Sequence, residues 1–134
     1  MAAAAFRIAA LALLSAGCTS IAADQRTFDG TSWRVTAVDG RATPPKGDYS
    51  MSFRGRELGA RFGCNRVGGR YSVAGETLTA TEVRSTLMGC PEPASTFERK
   101  GLAVLSAPMR ISWSSGNRLT LSNAAGSIAL ELVR

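Results

Sequence analysis

Apolar residues occupy every second position through most of the chain after Thr31, and this period constrains the fold more than any other feature. Successive side chains of a β-strand point to opposite faces, so a period of two is typical of strands with one buried face. We therefore predict strands with the following apolar positions: Trp33, Val35 and Ala37; Tyr49, Met51 and Phe53; Leu58, Ala60 and Phe62; Tyr71 and Val73; Met109, Ile111 and Trp113; Leu119 and Leu121; Ile128, Leu130 and Leu132.

Turn-forming residues separate these stretches, and most of the turns contain glycine or proline. They lie at Asp39-Gly40, Pro44-Pro45-Lys46-Gly47, Arg54-Gly55, Ala74-Gly75, Ser115-Gly116-Asn117 and Ala125-Gly126. Short strands joined by tight turns are typical of antiparallel hairpins.

One segment departs from the period of two and predicts a helix. Its apolar residues fall at helical spacing, namely Ala94, Phe97, Gly101, Val104 and Leu105. Pro91 and Pro93 precede the predicted helix, and Pro108 ends it. The sequence 95–98 fits a capping box, in which the Glu98 carboxylate accepts a hydrogen bond from the Ser95 amide. The prediction is an α+β fold: a curved antiparallel sheet or partly open β-barrel of about seven to eight short strands closed by one helix.

The N-terminus has the order of an export signal. Residues 1–17 contain one basic residue, Arg7, an apolar run over 8–14 and small residues at 15–17, followed by Cys18. The apolar run is about half the length that spans a bilayer. We predict a lipoprotein signal peptide at 1–17, a polar tether at 18–30 and one domain at 31–134.

The sequence Leu14-Ser15-Ala16-Gly17-Cys18 resembles a bacterial lipobox, with the leucine one position further from the cysteine than usual. The resemblance implies lipidation of Cys18 and anchoring to a membrane. Because Thr19 is not aspartate, sorting by analogy with enterobacteria would take the protein to the outer membrane, facing the periplasm. The alternative is cleavage after Ala22 or Ala23, which would leave a soluble periplasmic protein.

The chain carries a net positive charge, and export limits the kinds of anionic partner that it can meet. The full chain has a net charge of +6; loss of Arg7 with the signal leaves 15 basic and 10 acidic residues, a net +5. An exported protein does not meet nucleic acid, so anionic lipid headgroups, lipopolysaccharide or peptidoglycan are the partners that the charge favours. Arginines crowd one stretch, at Arg54, Arg56, Arg61, Arg66 and Arg70. A solvated basic surface is the alternative, and we expect a monomer.

The residue types that most catalytic sites need are missing or scattered. The chain has no histidine, and its two lysines lie in a Pro-Gly loop and beside Arg99. A serine nucleophile would therefore have no evident base, and the acidic residues occur singly rather than in pairs. No spacing of a calcium loop is found. We predict no enzyme, no catalytic residue, no metal and no cofactor.

Two motifs in order resemble a known family. The sequence Gly63-Cys64-Asn65-Arg66-Val67-Gly68-Gly69-Arg70-Tyr71, followed by Thr86-Leu87-Met88-Gly89-Cys90, resembles the paired signatures of the META-domain family, the HslJ-like heat-inducible envelope proteins. The motif residues Gly63, Asn65, Gly69, Tyr71, Thr86 and Met88 are interpreted as structural. The resemblance implies antiparallel strands around a helix, an envelope location often reached by a lipid anchor, and a link to stress or antibiotic tolerance. It brings no established catalytic residues.

The first motif also has a direct physical interpretation. Gly63, Gly68 and Gly69 suit tight turns, a bulge or a close backbone approach. Asn65 could close an Asx-turn on its own backbone, and Tyr71 is expected to be a core ring with its hydroxyl at the rim.

The cysteines leave two functional hypotheses. Once Cys18 carries lipid, only Cys64 and Cys90 remain to pair in an oxidising compartment, which predicts a disulfide; two buried free thiols are the alternative. The first hypothesis is a non-catalytic envelope lipoprotein that binds an envelope protein, or an apolar ligand between sheet and helix. The second is a periplasmic thiol-disulfide redox protein that uses Cys64 and Cys90, although redox enzymes of the thioredoxin type place their cysteines much closer together.

Overall fold

A computed structural model describes residues 28–134. The signal peptide, Cys18 and most of the predicted tether lie outside the described residues. The described part contains nine strands and one helix: β1 (Thr31–Val38), β2 (Arg41–Ala42), β3 (Tyr49–Arg54), β4 (Glu57–Phe62), β5 (Arg66–Ala74), β6 (Thr77–Ser85), α1 (Ala94–Leu105), β7 (Met109–Ser115), β8 (Arg118–Asn123) and β9 (Gly126–Leu132). Within residues 28–134 no helix is long and apolar enough to cross a membrane.

The strands form one antiparallel sheet that closes on itself. The order is β2-β1-β3-β4-β5-β6-β7-β8-β9, and β1 also pairs with β9. Eight strands thus complete a barrel, while the two-residue β2 forms a short hairpin with β1. The predicted α+β fold, an antiparallel barrel closed by a helix, is confirmed.

The alternation predicts most of the core, and a bulge explains where it fails. Val35 is buried in β1, but the register against β9 shifts between Val35 and Ala37. A bulge changes which side chains face inward. Val38 therefore lies in the core instead of the predicted Ala37, which is half-buried.

Strand β6 has no clear alternation in the sequence. Leu78 is fully buried, whereas most of the remaining residues are polar or partly exposed. Glu82 has a φ of 53° inside the strand, and the register against β5 shifts at this level. Only Thr77 and Leu78 pair with β7, so most of β6 has a sheet neighbour on one side only.

Helix α1 closes one end of the barrel, which we call the helix end. Phe97 packs edge-on against Tyr49, with ring centroids 5.4 Å apart. Gly101 lies directly on the Phe62 ring, where an added Cβ would come within 2.6 Å of the ring carbons. The space between helix and sheet is filled by these close contacts.

The predicted capping box is wrong. Pro93 is the N-cap of α1 and makes no side-chain cap, and the Ser95 amide donates to the Pro91 carbonyl at 3.2 Å. Glu92 instead accepts hydrogen bonds from the hydroxyls of Ser95 and Thr96, and these bonds, the Ser95 bond foremost, lower the pKa of its carboxyl. Glu98 therefore does not cap the helix, and its carboxylate accepts hydrogen bonds from Asn65 instead.

Aromatic rings fill the opposite end, which we call the aromatic end. Phe28, assigned by the sequence to the tether, is 1% exposed and packs on Phe53 at 4.9 Å between centroids. Trp33 is buried beside it, as predicted. Trp113 was expected in the core but is 45% exposed, because it lies at the rim and contacts Phe28 and Trp33 from outside.

Candidate functional site

The two sequence motifs meet at the helix end through a disulfide. The Cys64 and Cys90 sulfurs are bonded at 2.01 Å, and their Cα atoms lie 6.0 Å apart. Cys64 comes just before β5, and Cys90 lies within the segment 86–93 that connects β6 to the helix. The bond joins the glycine-rich turn to the segment that precedes α1, and we call this meeting point of the two motifs the junction.

Asn65 is the centre of this junction. It is 3% exposed, and its Oδ1 accepts hydrogen bonds from the Met88 amide at 2.8 Å and the Thr86 hydroxyl at 2.9 Å. Its Nδ2 donates to the Met88 carbonyl at 3.1 Å and lies 3.2 Å from the Cys90 sulfur. The side chain thus binds the second motif across the fold rather than closing the Asx-turn that the sequence allowed.

Glu98 completes the junction from helix α1. Its Oε1 accepts from the Asn65 backbone amide at 3.0 Å, and its Oε2 accepts from Asn65 Nδ2 at 2.9 Å. A carboxylate that takes both donors of one residue makes strong, directional hydrogen bonds. The residue that the sequence assigned to a local cap therefore fixes the helix to both motifs.

The glycines of the first motif allow close packing. Gly63 has a φ of 97°, and an added Cβ would lie 2.5 Å from the Tyr49 hydroxyl oxygen. Gly69 faces the interior of the barrel, and a Cβ added there would come within 2.9 Å of the Thr81 carbonyl oxygen. The register of β5 against β6 shifts beside it, between Gly68 and Arg70, so the predicted bulge and close approach both occur.

Tyr71 is a core ring, as expected. It is 4% exposed and packs edge-on against Phe53 at 4.8 Å between centroids. Burial raises the pKa of its phenol, and the nearby charge of Asp29 raises it further. Its place is the aromatic end, away from the junction.

The junction has the features of a structural staple. In residues 28–134 every buried side-chain nitrogen and oxygen has a hydrogen-bond partner, and no group of acidic and cysteine residues there is arranged to hold a metal ion. A fully satisfied polar network rigidifies a fold.

A groove on the outer face of the barrel is more open to ligands. Its floor follows one register row, in which Ser52 pairs with Gly59 and Gly59 with Gly68. Small residues on three neighbouring strands leave a depression of about 570 Å³. An added Cβ on Gly68 would meet nothing within 4 Å, so the space above this residue is open.

Arginines line the walls of this groove. Arg61, Arg66 and Arg84 project around the floor. Arg61 is 3.5 Å from the Asp48 carboxylate, whereas neither Arg66 nor Arg84 forms a salt bridge within residues 28–134. We call this feature the arginine groove. The crowding of basic residues in the sequence indicated Arg61 and Arg66. It did not indicate Arg84, which lies on β6 and reaches the groove because it pairs with Gly68 of β5.

The arginine groove borders the second motif. Thr86 lines its edge, and the chain then continues into Leu87 and Met88, which are 97% and 61% exposed. Met88 thus uses its backbone to bind Asn65 while its side chain points outward. The junction holds an apolar loop beside a cationic groove.

Comparison with known proteins agrees with the motifs and the fold. The model of the META domain matches residues 26–133. Two solved NMR structures share the fold: one, with a TM-score of 0.71 and 21% identity, aligns over 81% of this chain and 93% of its own. The other, from Burkholderia xenovorans, has a TM-score of 0.68 and 21% identity and aligns over 84% of this chain and 88% of its own. No curated protein matches the chain. The match across nearly the whole described domain shows that this chain belongs to the META-domain family.

Proposed function

We propose that this protein is a non-catalytic binding protein of the bacterial envelope, anchored by lipid at Cys18, whose arginine groove binds an anionic glycan. The observation that carries the proposal is the groove itself: a floor of serine and glycine between arginines of which two lack an acidic partner among the described residues. A role in envelope stress or antibiotic tolerance would follow from holding such a glycan at the outer membrane.

The chemistry of the groove favours a ligand with negative charges on a flat, polar body. Arginine presents a rigid fork of donors that matches phosphate and carboxylate oxygens. Ser50 and Ser52 add hydroxyls, and the open space above Gly68 allows a ring to approach the backbone closely. Lipopolysaccharide carries phosphates and peptidoglycan carries carboxylates, so both share the chemistry that the groove would bind.

The test is a binding measurement with both glycans in separate arms. Purified protein is titrated with lipopolysaccharide and with soluble peptidoglycan fragments, and the charge dependence is followed with salt. The double variant Arg66→Ser/Arg84→Ser should weaken binding of the true ligand at least tenfold. Arg99→Ser, on an exposed residue of helix α1, is the matched control and should leave binding unchanged.

A second variant tests the shape of the groove independently of its charge. Gly68→Val adds a side chain into the open space and places a residue with higher strand propensity in β5. Binding should fall while the unfolding temperature is kept or raised. Unchanged binding in both the arginine and the valine variants would contradict the proposal.

Anchoring is tested by expression in a Gram-negative host. Cys18→Ser should abolish the incorporation of labelled palmitate and the partition of the protein with membranes. A wild-type protein that is recovered soluble and starts at Ala23 or Asp24 would contradict the anchor and favour the soluble periplasmic alternative.

The thiol-disulfide redox protein is the second candidate, and one contact favours it. Asn65 Nδ2 lies 3.2 Å from the Cys90 sulfur, where it could stabilise a thiolate once the bond is reduced. The reduction potential separates the two functions. A value below about −300 mV is typical of a structural bond, and a value near −200 mV or above would favour the redox function.

A further inference from the structure

The aromatic end is where the chain enters the barrel. Phe28, the first residue of the described part, is buried against Phe53 and Tyr71. Only ten positions separate Cys18 from Phe28 in the sequence. Even fully extended, that stretch spans no more than about 35 Å. A lipid on Cys18 would therefore keep Phe28 within about 35 Å of the membrane surface.

Two large apolar side chains are exposed at this end. Trp113 is 45% exposed at the rim and borders an open cleft of about 490 Å³ beside Phe28. Val133 is 63% exposed, and its amide donates to the Ser32 carbonyl next to the buried Trp33. Tryptophan is enriched where a protein meets the headgroup region of a bilayer, because its ring is apolar and its N–H is polar.

Three arginines, Arg54, Arg56 and Arg110, lie at the aromatic end. The β3–β4 turn carries Arg54 and Arg56, and its Gly55 amide donates to Asp29 at 2.7 Å, which fixes the turn beside Phe28. Neither arginine forms a salt bridge within residues 28–134. Three acidic residues lie at this end as well: Asp29, which accepts from the Gly55 amide, Glu57, which pairs with Arg54 in the sheet register, and Glu76, which is 3.9 Å from Arg110.

We infer that the aromatic end lies on the phospholipid surface in which Cys18 is anchored, with Trp113 and Val133 in the headgroup region and Arg54 and Arg56 on anionic headgroups. This inference rests on the lipid anchor of the proposed function. Apolar side chains beside unpaired arginines match the layered chemistry of an anionic bilayer surface. The short tether raises the effective concentration of this end at the surface. The helix end, with Leu87 and Met88, then points away from the membrane.

The test compares two labelled positions at opposite ends of the barrel. Val133→Cys and Ala103→Cys are each labelled with an environment-sensitive fluorophore in the lipidated full-length mature chain; Ala103 is an exposed residue of helix α1. The protein is reconstituted in vesicles of phosphatidylethanolamine with about a quarter phosphatidylglycerol. Nitroxide lipids with the label on the headgroup serve as quenchers, and mass spectrometry of the same sample verifies the lipid on Cys18.

We expect quenching at position 133 to exceed that at position 103 several-fold. In the 133-labelled protein, Trp113→Ser combined with Arg54→Ser/Arg56→Ser should remove most of that difference, while the fluorescence of buried Trp33 verifies folding. Equal quenching at the two positions in a chain with the lipid attached would overturn the orientation alone. A chain without the lipid mass would overturn the anchor and the orientation together.

Discussion

Replacement of Asn65 by alanine tests whether the junction holds the fold together. The substitution removes every hydrogen bond of the amide side chain and leaves the disulfide in place. It also leaves the backbone bond from the Asn65 amide to Glu98. The expected loss of stability therefore comes only from the hydrogen bonds of the Asn65 side chain.

The magnitude follows from the partners left behind. The bond from Nδ2 to the Glu98 carboxylate is charge-assisted, and its loss costs about 2 kcal/mol. The Met88 amide and carbonyl each lose a partner in a part-buried position, at about 1 kcal/mol each. The Thr86 hydroxyl is exposed and can turn to water. The free energy of unfolding should fall by about 4 kcal/mol, a large share of the stability of a small domain.

Thermal and urea unfolding of the exported protein, followed by tryptophan fluorescence, measure this loss; the signal comes from buried Trp33 and from Trp113 at the rim. A cost of about 4 kcal/mol should lower the unfolding temperature by roughly 20 °C in a domain of this size. Asn123→Ala is the matched control: Asn123 also makes amide hydrogen bonds, at 2.8 Å to the Val104 carbonyl and 2.9 Å from the Ala125 amide, but only to neutral partners. It should cost about 1 to 2 kcal/mol. If the Asn65 variant loses no more than the Asn123 variant, the junction is not a major support of the fold.

Three further outcomes are expected. The double variant Cys64→Ala/Cys90→Ala should lose about 3.5 kcal/mol of stability, because the bond closes a loop with a sequence separation of 26; thiol titration of the denatured wild type should find neither cysteine free, and a variant as stable as wild type would contradict this. Gly101→Ala should lower the unfolding temperature despite the higher helix propensity of alanine, since the new Cβ lies 2.6 Å from the Phe62 ring; a raised temperature would show that the helix can shift. Because burial raises the pKa of Tyr71 above the ordinary 10.0, stability should be full below that pH and decline as the pH rises through the folded pKa; urea midpoints that stay constant through tyrosinate formation would refute it.

The fold class could be predicted because the information for it is local. Alternation within single stretches such as Tyr49–Phe53 and Ile128–Leu132 marks a strand and its buried face without reference to any other segment. Helical spacing over Ala94–Leu105 likewise stands out against the strands. An antiparallel barrel closed by one helix is the arrangement in which these faces can all be buried together.

The partners of the motif residues could not be predicted, because they depend on the register of strands far apart in the sequence. Glu98 fits a local capping box by spacing, yet it binds Asn65, 33 positions earlier. Trp113 keeps the alternation of its strand, but its strand reaches the barrel rim, so the ring is only half covered. Arg84 joins the arginine groove through pairing with Gly68.

The sequence by itself determined the kinds of element, the core residues of regular strands and the pair of motifs that define the family. The tertiary structure alone decided that Asn65 and Glu98 fix the two motifs to the helix, and that the basic residues divide between an outer groove and the aromatic end. The physical reason is the sequence separation over which each feature is set. Periodicity is a property of one strand or helix, so it can be read from neighbouring residues. A hydrogen-bond partner or a charged surface depends on barrel closure, which brings residues that are far apart in the sequence close together in space.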